Sequence, residues 1–158
     1  MKKDKIFRWI KVAKAISEFS KDPSTKVGTI MVSADGRQIS SGYNGWVAGC
    51  DESQMTWDRP LKYLMILHSE MNAILFSKES LKGAVAISTQ APCESCLKHM
   101  AQAGISEIHY DDSSVMRERG SDDQKEAIKR LIEATGIVVR NVNTDIDYIQ
   151  DLKKQIIL

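Results

Sequence analysis

The chain has 158 residues, enough for one domain with a substantial core, and we predict a single domain over 1–158. Lys plus Arg number 22 against 21 Asp plus Glu, so the basic excess typical of proteins that bind long nucleic acid is absent. No apolar run approaches the ~18 residues of a membrane span, and three cysteines, two of them in C-x-x-C, fit a reducing compartment, so we expect a cytoplasmic protein without a membrane partner.

The first half of the chain combines one helix, one hairpin and one long loop. Apolar residues at spacings of three and four predict a helix that ends before Asp22-Pro23, with Ile6, Trp9, Ile10, Ala13, Ile16 and Phe19 on one face. A β-branched run over 27–32, a turn at 34–36 and a return over 37–43 predict a hairpin. Residues 44–66 have glycines, a proline and no clear period, which indicates a long loop, and long ordered loops are often functional.

The second half alternates helices with short apolar strands. In chain order we predict a helix over 68–77, a strand over 84–89, a helix over 93–103 with Pro92 in its first position, a strand over 106–110, a helix capped by Ser121 or Asp122 and ending near Thr135, a strand over 137–140 and a tail helix over 145–157. Such alternation favours parallel pairing of the last three strands, in a sheet covered by helices on both faces. The predicted fold class is therefore α/β with a five-stranded mixed sheet.

Two short stretches carry candidate chemistry, His68-Ser69-Glu70 and Pro92-Cys93-Glu94-Ser95-Cys96. Each lies at a predicted helix start, where unpaired amides and the positive end of the helix dipole favour a thiolate over a thiol. Two thiolates and one imidazole suit zinc, and three protein ligands leave the fourth tetrahedral position to a water. We therefore predict one catalytic zinc ion held by His68, Cys93 and Cys96.

Glu70 is the predicted proton shuttle of this site. At ~100° per helical residue, its side chain leaves the helix on a different side from that of His68, so it is not simply a fourth ligand. Zinc lowers the pKa of a bound water toward ~7, and a nearby carboxylate can carry a proton to a departing amine. The pattern H-x-E followed by P-C-x-x-C resembles the signature of zinc nucleobase deaminases. The alternatives are an exposed acid at a helix start and a redox or simply buried C-x-x-C pair.

Several other residues permit more than one interpretation. His99 is a rival ligand that would close the site into a structural zinc knuckle. Cys50 is either a buried thiol or part of a second zinc site. The aromatic residues Trp46, Trp57 and Tyr63 either cover the pocket as a lid or anchor the long loop.

Beyond the zinc motifs, the chain resembles the deoxycytidylate (dCMP) deaminase family over about residues 21–136. The likeness lies in the stretch from Ser20 to Gly28, in Gly42-Tyr43-Asn44-Gly45, in Gly49-Cys50-Asp51, in the stretch from His68 to Ile74 and in Gln102-Ala103-Gly104-Ile105. The resemblance implies the three-layer α/β/α sandwich of the cytidine deaminases. It also implies hydrolytic removal of the cytosine 4-amino group of dCMP, which gives ammonia and dUMP, the dTMP precursor.

The resemblance also suggests which residues contact the substrate. Asn44 matches the family's asparagine at the end of the second strand, where it would touch the nucleotide. Ser69, within the first zinc motif, and Ala91, just before the second, are candidates for substrate binding. Lys26, Arg59 and Tyr110 are candidates for phosphate contacts. The chain departs from the usual family pattern in having Ser69 in place of Ala, Trp46-Val47 in place of Phe-Pro or Met-Pro, and no aromatic residue over 87–91.

Regulation and assembly are further expectations from the resemblance. It implies a homo-oligomer, namely a hexamer, that dCTP activates and dTTP inhibits. Mg²⁺ would accompany the triphosphate, and the effector contacts would be Gly42, Tyr43, Asn44 and Gly45. The alternatives are a deaminase of a related substrate, namely dCTP, a 5-substituted dCMP or a base in RNA, and a zinc-stabilised binding module without turnover. Glu70 argues against the binding module, because a structural zinc site needs no carboxylate beside its ligands.

Overall fold

A computed structural model describes residues 1–111 and 120–143 of the chain. In chain order its elements are α1 (Lys3–Ser17), β1 (Gly28–Val32), β2 (Gln38–Tyr43), a 3-10 turn (Glu52–Gln54), α2 (Leu61–Met65), α3 (Ser69–Leu75), β3 (Val85–Ser88), α4 (Glu94–Gln102), β4 (Glu107–Tyr110), α5 (Asp122–Thr135) and β5 (Val138–Asn141). Within those two ranges, no helix is both long and apolar enough to cross a membrane.

The five strands form one mixed sheet in the order β2-β1-β3-β4-β5. β1 pairs antiparallel with both β2 and β3, whereas β3, β4 and β5 run parallel to one another. The β1–β2 register shifts between Met31 and Val32, near the hairpin turn. The predicted mixed sheet with parallel final strands is therefore confirmed.

Alternate residues along the strands face two separate helix layers, as the two-residue period of a strand requires. Ile30 and Val32 of β1 pack with Ile6 and Ile10 of α1 on one face. Met31 lies in the opposite core, where α3, α4 and α5 contribute residues such as Ala73, Leu97, Met100, Ile128 and Ile132. This arrangement confirms the three-layer α/β/α sandwich.

The structure differs from the sequence prediction mainly at element ends and in the long loop. α1 ends at Ser17, so Phe19 lies beyond it and is exposed. The loop contains the short helix α2. Its burial pattern is the reverse of the usual one, because the charged Lys62 is buried whereas the apolar Leu64 is 83% exposed. Apolar periodicity cannot reveal such a helix, since its buried position carries a charge. The tail helix predicted over 145–157 lies outside the described residues.

Gly42 fixes the distance between β2 and the helix that carries the first chemical motif. A Cβ at this position would lie 2.3 Å from the carbonyl oxygen of Ser69 and 2.5 Å from the amide nitrogen of Ala73. Both atoms belong to the backbone of α3, so the clash could not be relieved by a side-chain rotation. The glycine thus permits α3 to lie directly against the end of β2.

Candidate active site

The two motifs lie at the starts of two helices, as predicted. His68 is the N-cap of α3, and Cys93 is the N-cap of α4. The Cys93 sulfur accepts a hydrogen bond from the Cys96 amide, 3.4 Å away, and so caps the helix itself. Pro92 therefore precedes the N-cap, and its predicted place in the first helical position was wrong.

The side chains of His68, Cys93 and Cys96 converge on one point. Nδ1 of His68 lies 3.5 Å from Sγ of Cys93 and 3.4 Å from Sγ of Cys96, and one potential ligand atom from each residue lies within 4.8 Å of the others. Tetrahedral zinc with the usual Zn–S and Zn–N lengths would separate sulfur from nitrogen by about 3.6 Å. The donor set and its spacing therefore fit zinc, and Nδ1 is the imidazole nitrogen that would hold it.

Contacts among His68, Cys93 and Cys96 shift the pKa values of all three side chains. The hydrogen bond with Cys96 lowers the pKa of Cys93 to about 4, against the opposing effect of burial and with further help from His68. The same contact, together with burial, raises the pKa of Cys96. The hydrogen bond with Cys93 raises the pKa of His68. Because zinc requires two thiolates and a neutral imidazole nitrogen, binding of the metal by this group would release protons.

Glu70 lies beside this group and is only 4% exposed. Burial raises the pKa of its carboxyl group above the ordinary value, although the nearby His68 opposes the shift. A carboxyl group that holds a proton more readily than an exposed one suits both acceptance and delivery of a proton near neutral pH. Glu70 is therefore not an exposed acid at a helix start, and its role as the proton shuttle stays a prediction.

Three buried hydroxyl groups lie behind Glu70, and sequence reasoning did not connect them. Ser69 Oγ donates to Glu70 Oε2 over 3.0 Å and lies 2.7 Å from Thr29 Oγ1, which in turn hydrogen-bonds Ser88 Oγ over 3.1 Å. All three hydroxyl-bearing residues are fully or almost fully buried. The signal available in the sequence is Ser69 itself, which lies between His68 and Glu70. Its side chain points into the protein and orients one oxygen of Glu70.

We expect Ser69→Ala to lower kcat by about tenfold, the effect of losing one hydrogen bond to a charged group. The reason is that Glu70 would lose the donor that orients its carboxylate. Steady-state kinetics with parallel metal analysis checks this expectation. Ser95→Ala, on the other ligand helix, is the control and should keep wild-type kinetics. A kcat unaffected by Ser69→Ala would contradict the orienting role.

Asn44 is held by other parts of the chain. Its Oδ1 accepts from the Val27 amide over 2.8 Å, and its Nδ2 donates to the Thr25 carbonyl over 2.9 Å and to Asp22 Oδ2 over 3.3 Å. The next residue, Gly45, forms an antiparallel bridge with Leu67, the residue before His68. The Gly42–Gly45 segment therefore lies next to the start of α3, and the roles predicted for it in substrate and effector binding stay predictions.

The remaining substrate candidates are spread over the structure. Ala91 is buried two residues before Cys93, and Tyr110 is buried in the core at the end of β4. Lys26 is exposed and pairs with Glu18, with 3.3 Å between Nζ and Oε2. The Arg59 guanidinium lies 5.4 Å from the centre of the Tyr63 ring. Ser69 and Ala91 thus lie close in sequence to the zinc ligands at the starts of α3 and α4, whereas the other candidates lie elsewhere. The substrate roles of all these residues stay predictions.

The alternative ligands lie apart from the group. His99 is exposed, and its Nδ1 lies 2.6 Å from the Ser95 carbonyl oxygen. Cys50 is a half-buried free cysteine, and within residues 1–111 and 120–143 it joins no group of three potential ligands. The rings of Trp46 and Trp57 pack together with their centres 4.1 Å apart. This contact joins two points of the loop that are far apart in its sequence.

Comparison with known proteins places this fold and site in one family. The family described as the cytidine and deoxycytidylate deaminase zinc-binding region matches residues 3–111, and the chain belongs to that family. Its fold and its His-Cys-Cys group with a buried glutamate define a hydrolytic deaminase.

Individual relatives agree with the resemblance seen in the sequence. The chain is 30% identical over 151 residues to the deoxycytidylate deaminase of Pongo abelii, covering 88% of this chain and 82% of the relative. It is 40% identical over 102 residues to an uncharacterized deaminase of Aliivibrio fischeri, covering 65% and 69% of the two chains. The crystal structure of dCMP deaminase from the cyanophage S-TIM5 matches with a TM-score of 0.68 and 28% identity, over 89% of this chain and 99% of that one.

Proposed function

We propose that this protein catalyses the zinc-dependent hydrolytic deamination of dCMP to dUMP and ammonia. The observation that carries the proposal is the buried carboxylate of Glu70 beside three converging zinc ligands. Further support comes from the similarity to deoxycytidylate deaminases and from the cyanophage enzyme, which is also known in complex with dCMP and dUMP. A binding module without turnover would give Glu70 no purpose, because burying an acid beside a structural metal is unfavourable.

Zinc, when bound by His68, Cys93 and Cys96, supplies a water that ionises near neutral pH. Glu70 would accept a proton from the attacking water and deliver it to N3 of the cytosine ring as C4 gains a hydroxyl group. Glu70 would then take the proton of that hydroxyl group and pass it to the 4-amino group, which leaves as ammonia. One water is consumed, and C4 ends as a carbonyl. Ser69 keeps the Glu70 carboxylate oriented through both transfers.

The monophosphate is the preferred substrate in this proposal, because the Ser20-to-Gly28 and Gly42-to-Gly45 stretches resemble those of nucleotide enzymes. The test is ammonia release from a panel of deoxycytidine, dCMP, 5-substituted dCMP, dCTP and a cytosine-containing RNA. We expect kcat/KM for dCMP to exceed that for deoxycytidine by at least about 100-fold, as expected when a polar contact is lost. Equal efficiency on deoxycytidine would refute the preference, and a higher value for dCTP or RNA would select that alternative.

We further propose that the protein is a regulated homo-hexamer, in which dCTP with Mg²⁺ raises activity and dTTP lowers it. The family resemblance supports this, as does the position of the Gly42–Gly45 segment beside α3. Control of this kind requires each effector to bind one state better, and a coupling of about 1 to 3 kcal/mol changes affinity roughly five- to 150-fold. Sigmoidal dCMP kinetics made hyperbolic by dCTP would support regulation, and kinetics unchanged by millimolar dCTP and dTTP would refute it.

A further inference from the structure

A buried ion pair joins the long loop to the body of the protein. Oδ2 of Asp22 lies 2.6 Å from Nζ of Lys62, and the two side chains are only 1% and 5% exposed. Asp22 lies in the segment after α1, whereas Lys62 lies on α2 within the loop. Lysine and aspartate are almost never buried to this degree unless they are paired.

The surroundings of the pair hold both charges in fixed positions. Asp22 Oδ1 accepts from the amides of Ser24 and Thr25, over 2.9 and 3.1 Å. Lys62 Nζ donates to Ser24 Oγ over 3.0 Å and lies 5.8 Å from the centre of the Trp57 ring. Burial acts to raise the pKa of Asp22, but Lys62 and the two amides outweigh it, so the carboxylate stays ionised.

The same carboxylate reaches the residue at the start of the loop. Asp22 Oδ2 accepts from Asn44 Nδ2, and Ser20 Oγ donates to the Asn44 carbonyl over 2.8 Å. Beyond Asn44, the Gly45–Leu67 bridge closes the loop immediately before His68. The ion pair therefore fixes two points of the loop that precedes the first zinc ligand: the Asn44 amide at its start and α2 near its end.

We propose that Asp22 and Lys62 are positioning residues that hold the Asn44 amide and loop 46–66 in the conformation that binds substrate. Neither residue is among the candidate ligands or the proton shuttle, so its loss should act on substrate binding more than on the chemical step. The proposal rests on dCMP deamination for its kinetic part. Only a carboxylate can accept from Lys62, from the Ser24 and Thr25 amides and from Asn44 together, so we expect an uncharged pair to hold the loop less firmly.

The competing explanation is that the pair serves stability alone, and a double variant separates the two. Lys62→Met by itself leaves a buried, uncompensated carboxylate and should lower the Tm markedly. Asp22→Asn/Lys62→Met removes both charges together, and the asparagine oxygen can still accept from the Ser24 and Thr25 amides. We expect the double variant to recover most of the Tm lost in Lys62→Met.

The decisive readout is the Michaelis constant of that double variant. We expect its KM for dCMP to stay raised by about tenfold, with kcat within about threefold of wild type, because misplaced binding groups weaken substrate positioning while the shuttle is intact. If KM returns to the wild-type value together with the Tm, the pair serves stability alone and the proposal is wrong.

Lys21→Met provides a matched control. Lys21 adjoins Asp22 and pairs with Glu52 of the same loop over 2.7 Å, but both side chains are more than half exposed. Exposed pairs of this kind contribute little to stability. We therefore expect Lys21→Met to leave KM, kcat and Tm unchanged, and a tenfold rise in its KM would contradict the special role of the buried pair.

Amide hydrogen exchange across residues 46–66 tests the loop without relying on activity. Exchange should be faster in the double variant than in wild type, and unchanged in Lys21→Met. Equal exchange in the double variant would overturn the proposal, whatever its KM. Should the wild-type protein fail to turn over dCMP, the proposed function is wrong, and the exchange result still decides whether the pair fixes the loop.

Discussion

Glu70→Gln should retain zinc and lose dCMP turnover by roughly 10²- to 10⁴-fold, the contribution typical of a positioned general acid–base group. The substitution preserves shape and leaves all three ligand side chains in place. An amide, however, can neither accept the proton of the attacking water nor pass one to the departing amine. Burial strengthens the expectation, because bulk water has little access to replace the missing carboxylate.

Metal analysis and steady-state kinetics on the same preparation check this prediction. Glu94→Gln is a matched control, because Glu94 is also an acid in the first turn of a ligand helix but hydrogen-bonds Gln124 of α5. It should retain activity within about threefold, as for a surface change that leaves the site intact. Loss of zinc together with activity in Glu70→Gln would assign Glu70 to metal binding and contradict the shuttle.

Cys96→Ala should lose zinc and lower the free energy of unfolding by at least about 3 kcal/mol, because metal binding contributes to folding. Two remaining ligands cannot close a tetrahedral site of useful affinity. The Cys96 side chain is also fully buried beside Leu97 and Met100, so its removal leaves a small cavity in the core as well. Cys93→Ala should likewise lose the metal.

Zinc content per chain and denaturant unfolding test the cysteine variants. Cys50→Ala serves as the control, since it removes the one cysteine that lies outside the ligand group and should keep full zinc content. A Cys96→Ala or Cys93→Ala protein with one zinc per chain would place the metal site elsewhere.

Much of the fold could be predicted because its signals are local. The three- and four-residue spacing of Ile6 and Ile10 marks α1, and short apolar runs separated by helices mark β3, β4 and β5. Apolar periodicity does not predict α2, because the buried residue of this helix is a lysine. The burial of that lysine depends on an aspartate forty residues earlier in the chain. No periodicity of the local sequence contains that information.

Some residues of the candidate site could likewise be predicted from local sequence, and others could not. The sequence predicts the zinc ligands and Glu70 because they lie in two short motifs, H-x-E and C-x-x-C, each at the start of a helix. The hydroxyl groups behind Glu70 come from three elements, with Thr29 on β1 and Ser88 on β3. The contacts of Asn44 with Asp22 and Thr25 likewise join segments that are separate in sequence. Such contacts arise from the tertiary structure and have no signature within one segment.

The central claim is tested most directly by the conversion of dCMP by the wild-type protein. The conversion is measured before zinc is removed, after zinc is removed and after zinc is restored. We predict that the zinc-loaded protein forms dUMP and ammonia in equal amounts, that chelation abolishes the reaction, and that stoichiometric zinc restores it. Unchanged dCMP in the presence of fully zinc-loaded, folded protein would contradict the account. Undiminished turnover after complete zinc removal would contradict it equally.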